Sequence, residues 1–199
     1  MLIDNTSERW KKYYEAIGER EARDTLLKAL EMFDHAQNLS AIDIGCGNGI
    51  DTVELLKRGW KVFAVDKEIH AIELIRKRVI SDNLQTSVRN FEDMTLPTNI
   101  DLINASYSLP FCHPDKFREV WTKITLALKP GGYFTGHFFG PNDDWAYSKE
   151  MTFFSYEQLI QLFKEFDVIN IEENEEDKPT AISSELKHWH VFKVLLRKI

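Results

Sequence analysis

Short apolar runs alternate with stretches of helical apolar period along most of this chain, and the alternation predicts its elements. Two helical stretches come first, over residues 6–17 and 19–35. A buried strand is then expected over 39–44, a helix over 51–58 closed by Gly59, a strand over 60–65 and a helix over 69–80. Strands over 85–89 and 100–105, a helix over 114–128 and a fifth strand over 133–139 follow. A helix over 155–166, a strand over 167–173 and a last strand over 188–197 complete the order. Residues 172–187 are acidic, carry Pro179 and have no apolar period, so they read as a loop. That loop joins the last two strands as a long hairpin and makes the final strand antiparallel. Alternating strands and helices call for a mostly parallel sheet covered on both faces. Ligands of such sheets bind outside the carboxyl ends of the parallel strands.

At the end of the first strand stands Asp43-Ile44-Gly45-Cys46-Gly47-Asn48-Gly49, immediately before a helix. Three glycines at alternate positions permit a tight turn and close approach of a ligand to bare backbone. The helix behind them directs unpaired N–H groups and its positive dipole end toward that place. A dinucleotide fingerprint would need G-x-G-x-x-G; here the spacing is G-x-G-x-G, and Ile50 stands where the last glycine would be. Asp66 ends the second strand, where a carboxylate can accept both hydroxyls of a ribose or cap the following helix.

The D-x-G-x-G-x-G arrangement resembles the first motif of the class I S-adenosylmethionine (SAM)-dependent methyltransferases. The similarity extends through Asp66, then Asn90-Phe91 after the third strand, Ser106-Tyr107-Ser108-Leu109-Pro110 after the fourth, and the turn Leu128-Lys129-Pro130-Gly131-Gly132. It covers about residues 39–199, with the motifs in the family's order. Small methyltransferases of the tellurite-resistance type are the most similar in size and in the ending HWHVFKVLLRK. The resemblance implies a Rossmann-like three-layer sandwich: a seven-stranded, mostly parallel sheet, its last strand antiparallel, under an N-terminal helical lid. It also implies SAM as cofactor, held by Asp43, Gly45, Cys46, Gly47, Asp66, Lys67, Asn90, Phe91, Ala105 and Ser106. Asn90 replaces the family's commoner Asp at the adenine amino group, and its carbonyl oxygen can still accept. Trp10 and Tyr14 in the lid would close over the sulfonium, with Trp10 spaced to meet Tyr13 and Tyr14 on one helix face.

Methyl transfer needs alignment first and a general base only where the nucleophile must lose a proton. His137, His190 and His188 are the candidate bases, the latter two on one strand face; each is weighed against local packing. Three histidines could meet at one rim, but H-x-H without nearby carboxylates is thin support for a metal, and none is assigned. Tyr107 and Trp145 are the expected substrate contacts.

With 199 residues, 43% hydrophobic and 29% charged, the chain fits one domain, residues 1–36 forming a helical segment within it. A formal charge of −7 argues against nucleic acid as the main partner. The absence of a signal-like or membrane-spanning run and the two isolated cysteines, Cys46 and Cys112, lead us to expect a cytoplasmic protein with a small-molecule substrate. Oligomeric state is not legible. A dinucleotide-dependent oxidoreductase and a non-catalytic SAM-binding module remain as alternatives.

Overall fold

The computed structural model describes residues 7–33 and 36–199. Thr6 and His35, the expected outer bounds of the first two helices, lie outside them. Seven strands form one sheet in the order β3-β2-β1-β4-β5-β7-β6. They are β1 (Ser40–Ile44), β2 (Lys61–Asp66), β3 (Leu84–Val88), β4 (Ile100–Ala105), β5 (Leu128–Phe139), β6 (Phe166–Thr180) and β7 (Ser183–Lys198). The first five are mutually parallel, and β7 runs antiparallel to both β5 and β6. Six helices pack with it: α1 (Ser7–Ile17), α2 (Asp24–Leu30), α3 (Ile50–Lys57), α4 (Ile69–Arg78), α5 (Pro114–Ala127) and α6 (Tyr156–Leu162). The sheet and helix order agree with the expected Rossmann-like architecture.

The largest core cluster joins β1, β4, β5 and β7 to α5 and α6 through Phe117, Trp121, Phe134, Phe138, Phe163 and Phe192. A second cluster, with Leu26, Leu30, Leu55, Trp60 and Leu195, fills the space beneath α2 and α3. Removing these large apolar side chains from water supplies most of the drive to close the layers, at roughly 25 cal/mol per Å².

Three expectations need correction. The expected second helix begins only at Asp24. Asp51 then holds the intervening chain, accepting from the Arg23 amide at 3.1 Å and the Arg20 guanidinium at 3.3 Å. The turn expected at residues 128–132 is instead the irregular start of β5, where the register with β4 shifts around Gly131 (φ 76°).

The third correction is larger. Residues 172–187 are not a loop: β6 and β7 stay paired from Phe166↔Lys198 to Thr180↔Ser183. The extension has little core beneath it, which is why it lacks an apolar period. Opposite charges face each other across the ladder, with Glu172 opposite Lys193 and Asp177 opposite His188. The same acidic residues keep the outer strand from recruiting a further strand. Pro179 sits at a register shift beside the tip, where the ladder tolerates a missing donor.

Candidate active site

The loop after β1 is folded by its own hydrogen bonds. Gly45 and Cys46 donate to the Val65 carbonyl at 2.8 and 3.2 Å, Gly49 to the Cys46 carbonyl at 3.0 Å, and Gly47 to Asp66 Oδ2 at 2.9 Å. These four amides are therefore spent inside the protein. What the glycines provide is closeness. A Cβ on Gly45 would lie 2.3 Å from Ser108 Cβ, and one on Gly47 would lie 3.3 Å from the Tyr14 ring.

Asp66 accepts from Gly47 and from the Glu68 amide, one bond to each oxygen and each at 2.9 Å. Each oxygen keeps acceptor capacity for a further donor. Burial raises its carboxyl above the usual carboxylate range, and the two amides oppose that shift. Asp43 lies deeper, accepting from Thr52 Oγ1 at 2.6 Å and from Asn104 Nδ2 at 2.8 Å. Burial, and Asp51 beside it, push Asp43 up to about 7. Asp43 thus acts as an internal brace between β1, α3 and β4.

These groups open onto a cavity of about 280 Å³ at the carboxyl ends of the strands. It brings together the expected Asp43, Gly45, Cys46, Gly47, Asp66, Lys67, Asn90, Phe91, Ser106, Trp10, Tyr14 and Tyr107. Ala105 stays in the core, fully buried. Asn48 and Ser108, from the quoted motifs, and Phe111, expected at this mouth, also line it, as do Arg20, Arg23 and His113, which were unforeseen. The arginines were hidden by the continuous helix expected over residues 19–35.

Helix α1 covers this cavity. Trp10 stacks toward Tyr14 with ring centroids 6.2 Å apart and meets Phe111 edge-on at 4.8 Å. Beyond Trp10, Tyr13, Arg23, Tyr107 and Phe111, which border both spaces, lies a second cavity of about 320 Å³. Its far wall contains Phe139, Trp145, Trp189 and the tip of the β6–β7 hairpin. Trp145 therefore belongs to the second cavity and not to the first. The hairpin tip is a wall that a loop reading could not supply.

Asp143 anchors that wall. Its carboxylate accepts from Lys187 Nζ at 2.6 Å, the Trp145 amide at 2.9 Å and the His190 amide at 3.2 Å. Lys187 also lies 3.6 Å from the Trp189 ring centroid.

The three histidines do not converge. His137 pairs in register with Lys193 and shares its sheet face; His190, three residues away on β7, faces the other side, as does His188. His137 is fully buried, both ring nitrogens lack a partner, and it stacks on Tyr107 at 3.9 Å. Burial first, and Arg23 second, push its imidazole down to about 3, so the ring is neutral. His190 Nδ1 accepts from the Asn142 amide at 3.2 Å, which leaves Nε2–H to donate to Glu173 at 2.8 Å. His190, Glu173 and Glu175 lie close enough to hold a cation, but this proton arrangement makes them a hydrogen-bonded network. His188 pairs with Asp177 and Glu175 at 2.7 and 3.0 Å on the hairpin's exposed side. None of the three lines either cavity.

The first cavity suits a nucleoside-bearing cofactor: an acceptor carboxylate ends β2, the apolar Phe91 lines the same space, and the glycine loop presents bare backbone at Gly45 and Gly47. Among the described residues, no helix is long and apolar enough to cross a membrane.

Comparison with known proteins agrees with the site. Residues 41–132 match the family described as a methyltransferase domain. The cypemycin N-terminal methyltransferase of a Streptomyces species is 25% identical over 95 residues, which take in 47% of this chain and 39% of that protein. The chain spans about half or less of the length of the curated relatives it matches. TehB from Haemophilus influenzae superposes with a TM-score of 0.71 at 16% identity, covering 86% of this chain and 62% of TehB. The N-methyltransferase NodS from Bradyrhizobium japonicum WM9, solved with S-adenosylhomocysteine, gives a TM-score of 0.71 at 14% identity over 98% of this chain and 99% of NodS. At these identities the two structures speak to the fold. Residues 41–132, a little under half of the chain, thus match a methyltransferase domain, and the strand order agrees with the fold of the two solved methyltransferases.

Proposed function

We propose that the protein transfers a methyl group from SAM to a small molecule seated in the second cavity. The observation that carries this reading is the shared wall. Two cavities meet at Tyr107 and Phe111, one with the features of a nucleoside site and one largely aromatic. When bound, SAM supplies an electrophilic methyl group on a sulfonium.

The chain's own residues do the rest. Asp66 accepts the ribose hydroxyls, Asn90 and Phe91 flank the adenine, and Gly45, Cys46, Gly47, Lys67 and Ser106 close the cradle. Trp10 and Tyr14 exclude water from above, while Tyr107 and Trp145 bound the acceptor. Alignment of this kind can supply roughly 7–11 kcal/mol of a bimolecular barrier. No histidine of β5 or β7 lines either cavity, and His113, which borders only the first, caps α5 through Nδ1, so the reading favours an acceptor that enters already deprotonated. A soft thiolate or a chalcogen oxyanion meets that requirement.

Calorimetric titration with SAM, S-adenosylhomocysteine and NADH tests the reading. We expect micromolar binding of the first two and none of NADH. NADH binding alone would establish the oxidoreductase alternative. SAM binding without methyl transfer to any member of a broad acceptor panel favours the non-catalytic module.

A further inference from the structure

Arg23 stands where the two cavities join. Its guanidinium carbon lies 4.7 Å from the Tyr107 ring centroid, and its Nε is buried without a hydrogen-bond partner. Neighbouring cations are committed: Arg9 to the faces of Trp10 and Trp145 at 5.9 and 5.1 Å, Arg20 to Asp51 at 3.3 Å, Lys178 to Glu176 at 2.5 Å, Lys187 to Asp143 at 2.6 Å and Lys193 to Asp24 at 3.1 Å. Arg23 makes no ion pair among the described residues. A half-buried guanidinium with an unused donor gains most from an anion that arrives with its own hydration already stripped by apolar walls.

Those walls are rings. Trp10, Tyr13, Phe111, Phe139, Trp145 and Trp189 surround the second cavity, and flat π-faces of this kind select a flat partner. Glu176 is the acidic side chain of that lining, and Lys178 neutralises it.

We infer that the methyl acceptor is a flat aromatic molecule carrying an anionic group, its ring held among the tryptophans and its anion on Arg23. This rests on the methyl-transfer reading and narrows its acceptor class: an aromatic thiolate satisfies both, whereas a chalcogen oxyanion has no ring for the tryptophans to hold. Tyr107 would orient the pair: it is fixed in a left-handed backbone conformation (φ 52°) and backed by His137, which holds its ring beneath the guanidinium.

The test uses a matched pair of probes, 2-naphthoate and its neutral analogue 2-naphthamide. Each is titrated calorimetrically into the full chain, with and without saturating S-adenosylhomocysteine. The naphthoate is expected to bind about tenfold tighter or better, the worth of a charged hydrogen bond. Arg23→Gln should erase that preference and leave naphthamide affinity unchanged, while Arg23→Lys keeps part of it; unfolding midpoints check that both variants fold. Equal affinities, binding of neither probe, or a preference that survives Arg23→Gln would overturn the inference. A tenfold loss of S-adenosylhomocysteine affinity in Arg23→Gln would overturn it too, by giving the guanidinium to the cofactor's carboxylate. If wild-type protein binds no S-adenosylhomocysteine, the methyltransferase reading fails, and the naphthalene pair on unloaded protein still decides the role of Arg23.

Discussion

Tyr107 and His137 lie nearly parallel, ring centroids 3.9 Å apart and 20° between planes, with the histidine fully buried and Tyr107 facing both cavities. The pair turns a candidate base into a support. A neutral imidazole without hydrogen-bond partners holds a tyrosine whose backbone is strained, and such strain gathers where a surface must be held in place.

The pH dependence of stability tests this role. His137 titrates near 6.5 when unfolded and near 3 when folded. The unfolded chain therefore binds the extra proton between these values, and stability falls as pH drops from about 6.5 toward 3. The loss is on the order of 2–4 kcal/mol by pH 4. His137→Phe keeps a stacking ring and should flatten that part of the profile, as followed by urea unfolding from pH 7 to 4. It should also retain methyl transfer within about threefold, whereas a general base would cost about 10²–10⁴-fold.

Asp66→Asn removes the charge that the ribose hydroxyls are expected to meet. At roughly 1.5–3 kcal/mol per charged hydrogen bond, S-adenosylhomocysteine affinity should fall about 10- to 100-fold. Calorimetry on the folded variant measures it; unchanged affinity would remove Asp66 from the site.

A side chain at Gly45 meets Ser108 before it can meet a ligand, and the backbone there is left-handed (φ 66°). Gly45→Ala should lower stability by about 1–3 kcal/mol. Adding Ser108→Gly should restore part of that loss, because the two substitutions share one contact. Additive unfolding energies would disprove the contact.

Asp143→Ala should cost about 3–5 kcal/mol, because it leaves the Lys187 ammonium buried without its partner. The double substitution Asp143→Leu/Lys187→Met should cost less than Asp143→Ala alone. A hairpin that stays equally protected in amide exchange after Asp143→Ala would show that the ion pair is dispensable.

The strand order, the glycine turn and most of the first cavity were legible because each rests on a short stretch of chain. Apolar runs separated by helical periods dictate an open α/β sheet, and such a sheet places Asp43, Gly45, Asp66 and Asn90 at one edge by connectivity alone. What the chain pattern could not show depends on partners distant in sequence. Residues 172–187 look like a loop until cross-strand charges from β7 meet them. Arg20 and Arg23 look helical until Asp51, about thirty positions away, takes their donors. The histidines look like one cluster until strand register puts His137 on one face of the sheet and His188 and His190 on the other. Local periodicity determined which elements form; register, buried charge and ring stacking, which exist only once those elements pack, decided where the second cavity lies and which side chains line it.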